Sequence, residues 1–117
     1  IPVPPEDFGT QGLRTVHQAI DNVRKLNPDL RRLGHLVTRY DARLLVHQSY
    51  HAKLQTLYRD TVLDTVIPEA SAFKVALTCR KPVGLYSPRS PAAKLTDQLA
   101  HELMNRIAAR YSRQHVA

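Results

Sequence analysis

The chain has little of what most catalytic or secreted small domains depend on. It has no tryptophan and a single cysteine, Cys79. An internal disulfide is therefore excluded, and one free thiol fits a reducing compartment. Its four glycines, Gly9, Gly12, Gly34 and Gly84, are scattered. A phosphate-cradling loop needs closely spaced glycines, so that backbone amides can approach the oxygens, together with a Lys and a Ser or Thr. No such motif exists here. No apolar run approaches the roughly 18 residues of a membrane span, and no basic-then-apolar leader points to secretion. No HExxH motif is present, and no cysteine lies close to the histidines, so metal catalysis has no sequence support. Acidic residues are also in short supply, with ten Asp and Glu against 17 Lys and Arg in 117 residues. The net charge of +7 suggests a polyanionic partner, most simply nucleic acid. A length of this order fits one domain or part of one. The chain opens on Ile1 within a segment that reads as structured, which leads us to expect a fragment or a processed chain.

The apolar periodicity predicts alternating strands and helices. IPVPPEDFGTQG, rich in Pro and Gly, reads as a strand end and a loop. Leu13, Val16, Ile20 and Val23 recur at helical spacing, and Asn27-Pro28 ends that helix. LGHLVT, over 33–38, reads as a strand, and a helix follows from Asp41 or Ala42 to about Tyr58. TVLDTVI, over 61–67, is rich in β-branched residues and stops at Pro68. A short helix over 70–79 follows, then VGLY as a short strand or extended turn. Ser90 and Pro91 mark the start of a last helix, with Leu95, Leu99, Leu103 and Ile107 as its core stripe. Such an order predicts one α/β unit over 1–117, a parallel sheet flanked by helices. Its ligands belong at the carboxyl ends of the strands, in the loops after Val3, Val37 and Ile67.

Three segments carry a resemblance. They are IPVPPEDFGTQGL; then Leu26-Asn27-Pro28-Asp29-Leu30 with LGHLV and Thr38-Arg39-Tyr40-Asp41-Ala42-Arg43; then Thr65-Val66-Ile67-Pro68, Arg80-Lys81-Pro82 and Leu85-Tyr86-Ser87-Pro88-Arg89-Ser90. In this order and spacing, from Ile1 to about Ala108, the chain resembles the C-terminal half of the ParA/MinD family of P-loop ATPases, in particular the ParA branch. That resemblance implies the C-terminal portion of a Rossmann-like deviant P-loop fold, without the phosphate loop. The whole protein would be a DNA-partitioning ATPase using ATP and magnesium. It would dimerise around ATP, bind DNA nonspecifically, work with a ParB-like partner, and reside in the cytoplasm at the nucleoid. The 117-residue segment alone is expected neither to hydrolyse ATP nor to hold a cofactor tightly.

The resemblance places the nucleotide base against Thr38, Tyr40, Pro68 and Glu69. It assigns DNA contact to Arg43. Relatives carry arginines just after the third strand, where this chain has Glu69 and Ala72, leaving Lys74, or Arg80 and Lys81, to replace them. Arg106 and Arg110, with Arg113, share a face of the last helix and are further phosphate candidates, although cations also favour a helix C-terminus without any ligand. His47 and His51, four apart on a helix, read as a solvent-facing pair. Two alternatives stand beside this reading. One is a free-standing basic DNA-binding module without nucleotide chemistry. The other is a MinD-like positioning ATPase, against which SRQHVA after Tyr111 argues by lacking the apolar character of a membrane tail.

Overall fold

The computed structural model describes residues 1–115. Three parallel strands, β1 (Pro2–Val3), β2 (His35–Tyr40) and β3 (Val62–Pro68), lie in the order β1-β2-β3. Helices α1 (Asp7–Val23) and α2 (Leu45–Tyr58) form the two crossovers, and α3 (Ser71–Thr78), α4 (Val83–Tyr86) and α5 (Pro91–His115) follow the sheet. The α/β class and parallel sheet match the sequence expectation. The last two residues of the SRQHVA tail lie outside the described residues.

Three elements differ from expectation. Helix α2 begins at Leu45 rather than at Asp41 or Ala42, because 41–44 form a turn that ends with Leu44 extended. Helix α1 begins at Asp7 rather than Leu13 and runs through Gly9 and Gly12. Glu6, in extended conformation, precedes the first turn at the positive end of the helix dipole. Leu13, buried in the sheet core, holds the segment down. VGLY forms one helical turn instead of a short strand or extended turn, because Pro82 suits a helix start and the Tyr86 amide closes on its carbonyl at 2.9 Å. The Ser90 expectation holds: its hydroxyl accepts the Ala93 amide at 3.1 Å, a bond from the third residue of α5.

One core lies between the sheet and the crossover helices, where Val3, Leu13, Val37, Leu54 and Val62 are buried with Tyr40 and Tyr58 against them. A smaller cluster of Ala76, Val83 and Ala92, backed by Phe73, joins α3, α4 and α5. Leu95, Leu99 and Leu103 are half-buried, but Ile107 is 51% exposed, so the core stripe of α5 stops a turn early. Leu26, Leu45, Leu77 and Leu85 also stand in solvent. The radius of gyration is 16.0 Å, against about 13 Å for a close-packed domain of this length.

Gly34 marks a close approach between the entry to β2 and the start of β3. A Cβ there would overlap the Leu63 side chain and sit 2.8 Å from the Thr61 carbonyl oxygen. Only glycine lets the chain enter β2 this close to β3 and to Arg106.

Candidate functional site at the strand ends

Parallel strands bring their carboxyl ends to one side, so the segments after Val3, Tyr40 and Pro68 form one rim. A groove of about 300 Å³ opens there. Thr38 and Arg39 of β2 line one wall, and Ile67 and Pro68 of β3 the other. Glu69, Ala70, Phe73 and Lys74 close it.

Backbone geometry aims these side chains. Arg39 has φ 54°, a left-handed conformation unusual for a non-glycine residue. It lies within the register irregularity between Val37 and Tyr40, where β2 carries an extra residue relative to β3. Such a bulge re-aims side chains near functional sites. Here Val37 and Tyr40 both turn to the α1–α2 core, and Arg39 turns to the groove. Its Nε donates to Glu69 Oε1 at 2.7 Å, and Lys74 Nζ lies 3.8 Å from Glu69 Oε2. The Arg39 bond holds the Glu69 carboxyl below the usual carboxylate range.

Beside the groove, Asp41 forks with Arg43. Arg43 Nε and one terminal nitrogen each donate to an Asp41 oxygen at 3.0 Å, and the Arg43 amide adds a third bond. These bonds lower the Asp41 pKa to about 2. His47 is buried, 4% exposed, contrary to the solvent-facing expectation. It accepts the Asp41 amide at Nδ1 (2.9 Å), so Nε2 carries the proton and donates to the Glu6 carboxylate at 3.2 Å. Both ring nitrogens being paired is what permits its burial. His51 is half-buried against the Tyr40 ring. No group of three potential metal ligands occurs among the described residues.

Of the four base-binding candidates, Thr38, Pro68 and Glu69 share the groove. Tyr40 lies across the sheet from it, its ring 6.1 Å from His47 and 5.5 Å from His51. Among the phosphate candidates, Lys74 is at the groove and Arg43 beside it. Arg80 and Lys81 are exposed in the turn after α3, with Arg80 at φ 54° where a helix end turns left-handed. Arg106 and Arg110 are differently engaged. Arg106 donates to the Asp60 and Val62 carbonyls at 2.8 and 3.1 Å, and Arg110 to the Arg32 carbonyl at 2.8 Å. Sequence reasoning covered Arg39 only within the stretch from Thr38 to Tyr40, without its bond to Glu69, and did not single out Glu6 as the partner of His47. Arg39 was findable only as a polar residue ending a strand that points its neighbours inward.

Sequence comparison shows which proteins the chain is similar to. No protein-family model matches the chain. Among curated proteins, the chromosome-partitioning ATPase Soj of Thermus thermophilus is 36% identical over 108 residues, 92% of this chain and 43% of that protein. The sporulation initiation inhibitor protein Soj of Bacillus subtilis is 36% identical over 104 residues, 88% of the chain and 41% of its own length. The chromosome partitioning protein ParA of Myxococcus xanthus is 28% identical across the whole chain and 42% of its length. This chain is homologous to the ParA/Soj partitioning proteins.

The ParA/Soj-like chain spans about two-fifths of the length of these relatives. Its residues fit one end of a nucleotide. Thr38 brings a hydroxyl, Pro68 and Phe73 bring apolar surface, and strand-end backbone groups can face the edge of a base. They do not fit the other end, since no glycine-rich phosphate loop and no cluster of metal-binding acids occurs among the described residues. No helix among them is long and apolar enough to cross a membrane.

Proposed function

We propose that this chain forms the strand-end groove and basic rim of a ParA-like DNA-partitioning ATPase. The observation that carries the reading is the similarity to Soj and ParA proteins across nearly the whole chain, in a fold whose strand ends meet in a groove. Thr38, Pro68 and Glu69 would border the base of ATP, with Tyr40 supporting β2 from the opposite side. Phosphates and magnesium would be held by the portion of the relatives' length that this chain does not match, and the hydrolytic chemistry belongs there. Exposed apolar side chains such as Leu45, Leu77 and Leu85 supply surface against which that portion could pack.

Nonspecific DNA would contact the rim through Arg43 and Lys74, with Arg80 and Lys81 extending the basic surface. Arg106 and Arg110 add long-range positive charge, although their mapped donors already serve backbone carbonyls. A net charge of +7 supports a phosphate-neutralising mode that positions DNA without reading its sequence. The intact protein would act as an ATP-bound homodimer with a ParB-like partner at the nucleoid in the cytoplasm.

The test is DNA retention by a protein that joins this chain to a phosphate-loop half, with and without ATP. ATP-dependent retention is the expected result. Equal, salt-sensitive retention in both conditions would replace the ATPase reading with that of a free-standing DNA-binding module.

A further inference from the structure

Glu69 sits where it can control the basic rim. Its two carboxylate oxygens face different cations, Arg39 at 2.7 Å and Lys74 at 3.8 Å. All three groups are accessible, with 76% of the Arg39 side chain, 79% of Lys74 and 42% of Glu69 exposed. A phosphate oxygen arriving at this rim would meet two cations already turned toward an anion of the same chain. Carboxylate and phosphate use the guanidinium donors in the same way, as charge-assisted acceptors, so the two must compete for Arg39.

We propose that Glu69 is an internal competitor for DNA phosphate, holding Arg39 and Lys74 in a neutralised state that DNA must displace. This rests on the DNA-binding reading of the rim. The geometry favours a competitor over a structural tie. Arg39 and Glu69 are both water-exposed, and among the described residues the side-chain hydrogen bond of each is to the other. Exposed ion pairs of this kind contribute little to stability and exchange readily. The groups are nevertheless held in place, because the left-handed backbone at Arg39 directs its side chain across the groove and Pro68 fixes the approach to Glu69. Asp41 occupies Arg43 in the same manner next door, so the surface offers less free positive charge than its arginine count suggests.

The test compares this chain with Glu69→Gln, Asp97→Asn and the triple variant Glu69→Gln/Arg39→Gln/Lys74→Gln. Each binds a short DNA duplex of arbitrary sequence over a salt series, with circular dichroism confirming the fold. Asp97 is an exposed acid on α5, so Asp97→Asn controls for net charge alone. Release of two cations should raise the affinity of Glu69→Gln roughly tenfold at low salt and steepen the salt slope by about 1 to 2. The triple variant should lose that gain. A Glu69→Gln gain no larger than that of Asp97→Asn, with the unaltered chain binding DNA, would overturn the competitor role and leave the DNA reading intact. Absence of binding by the unaltered chain and Glu69→Gln alike would overturn the DNA reading and the competitor together.

Discussion

At the strand ends, Arg39 meets Glu69 with 76% and 42% of their side chains exposed; along the outer edge of β3, Arg106 meets Glu102 with 24% and 15% exposed. The residue types are identical, and the difference lies in what else they bond. Glu102 accepts the Asp64 and Thr65 amides at 2.7 and 2.8 Å, while Arg106 donates to the Asp60 and Val62 carbonyls. One turn of α5 thus supplies the edge strand with acceptors and donors that a further strand would otherwise provide, and it covers an edge that invites unwanted pairing. Burial opposes ionisation of Glu102, but the Thr65 and Asp64 amides and Arg106 outweigh it and leave its pKa lowered. The rim pair bonds across open water and remains available to a ligand. An arginine is informative about function only once the partners of its other donors are known.

The sharpest way to break this contrast is Glu102→Ala. It would orphan two β3 amides and the Arg106 charge, and should cost about 2 to 4 kcal/mol in urea unfolding. A loss below about 1 kcal/mol would mean the edge pair is as dispensable as an exposed one.

A histidine pair, with His35 buried and His17 half-buried, extends the comparison. The Thr61 hydroxyl donates to the Tyr58 carbonyl at 2.7 Å, so it must accept from His35 Nδ1. His35 Nε2 is then bare and accepts from His17 at 3.0 Å. Burial, followed by the charge of His17, lowers the His35 pKa from 6.5 to about 4. The unfolded chain takes up this proton at higher pH than the folded one. Stability from this site is therefore complete above about pH 6.5 and lost as pH falls toward 4, by about 3 kcal/mol at most. Melting temperature against pH should show this decline, and His35→Gln should flatten it.

Gly34→Ala probes the same edge from its other side. A Cβ against the Thr61 carbonyl and Leu63 should cost about 1 to 3 kcal/mol. The smallest effect belongs to the rim: a double-mutant cycle on Arg39 and Glu69 should give a coupling below about 1 kcal/mol. A larger value would make the pair structural and weaken its availability to DNA.

Much of this was legible in the residues. The β-branched run before Pro68 marked β3, and the Ser90-Pro91 pair marked the start of α5. The alternation of elements marked a parallel sheet, and Thr38, Pro68 and Glu69 share a groove at its strand ends. The start of α1 was hidden, because prolines and glycines argue for a loop while the packing of Leu13 favours a helix. His47 was misread because charge and spacing on a helix say nothing of which face the sheet covers. Arg39 was hidden by a bulge, which breaks the alternation that would assign its direction.

Local pattern by itself determined the class of fold, the positive charge and the absence of a phosphate loop, since each depends on composition or on neighbours a few residues apart. Only the tertiary structure decided which cations remain at the surface for a ligand. Arg39 meets Glu69 across 30 positions, and Arg106 reaches Asp60 across 46. Hydrogen bonds over such separations exist only after the sheet has formed, so no periodicity along the chain can announce them.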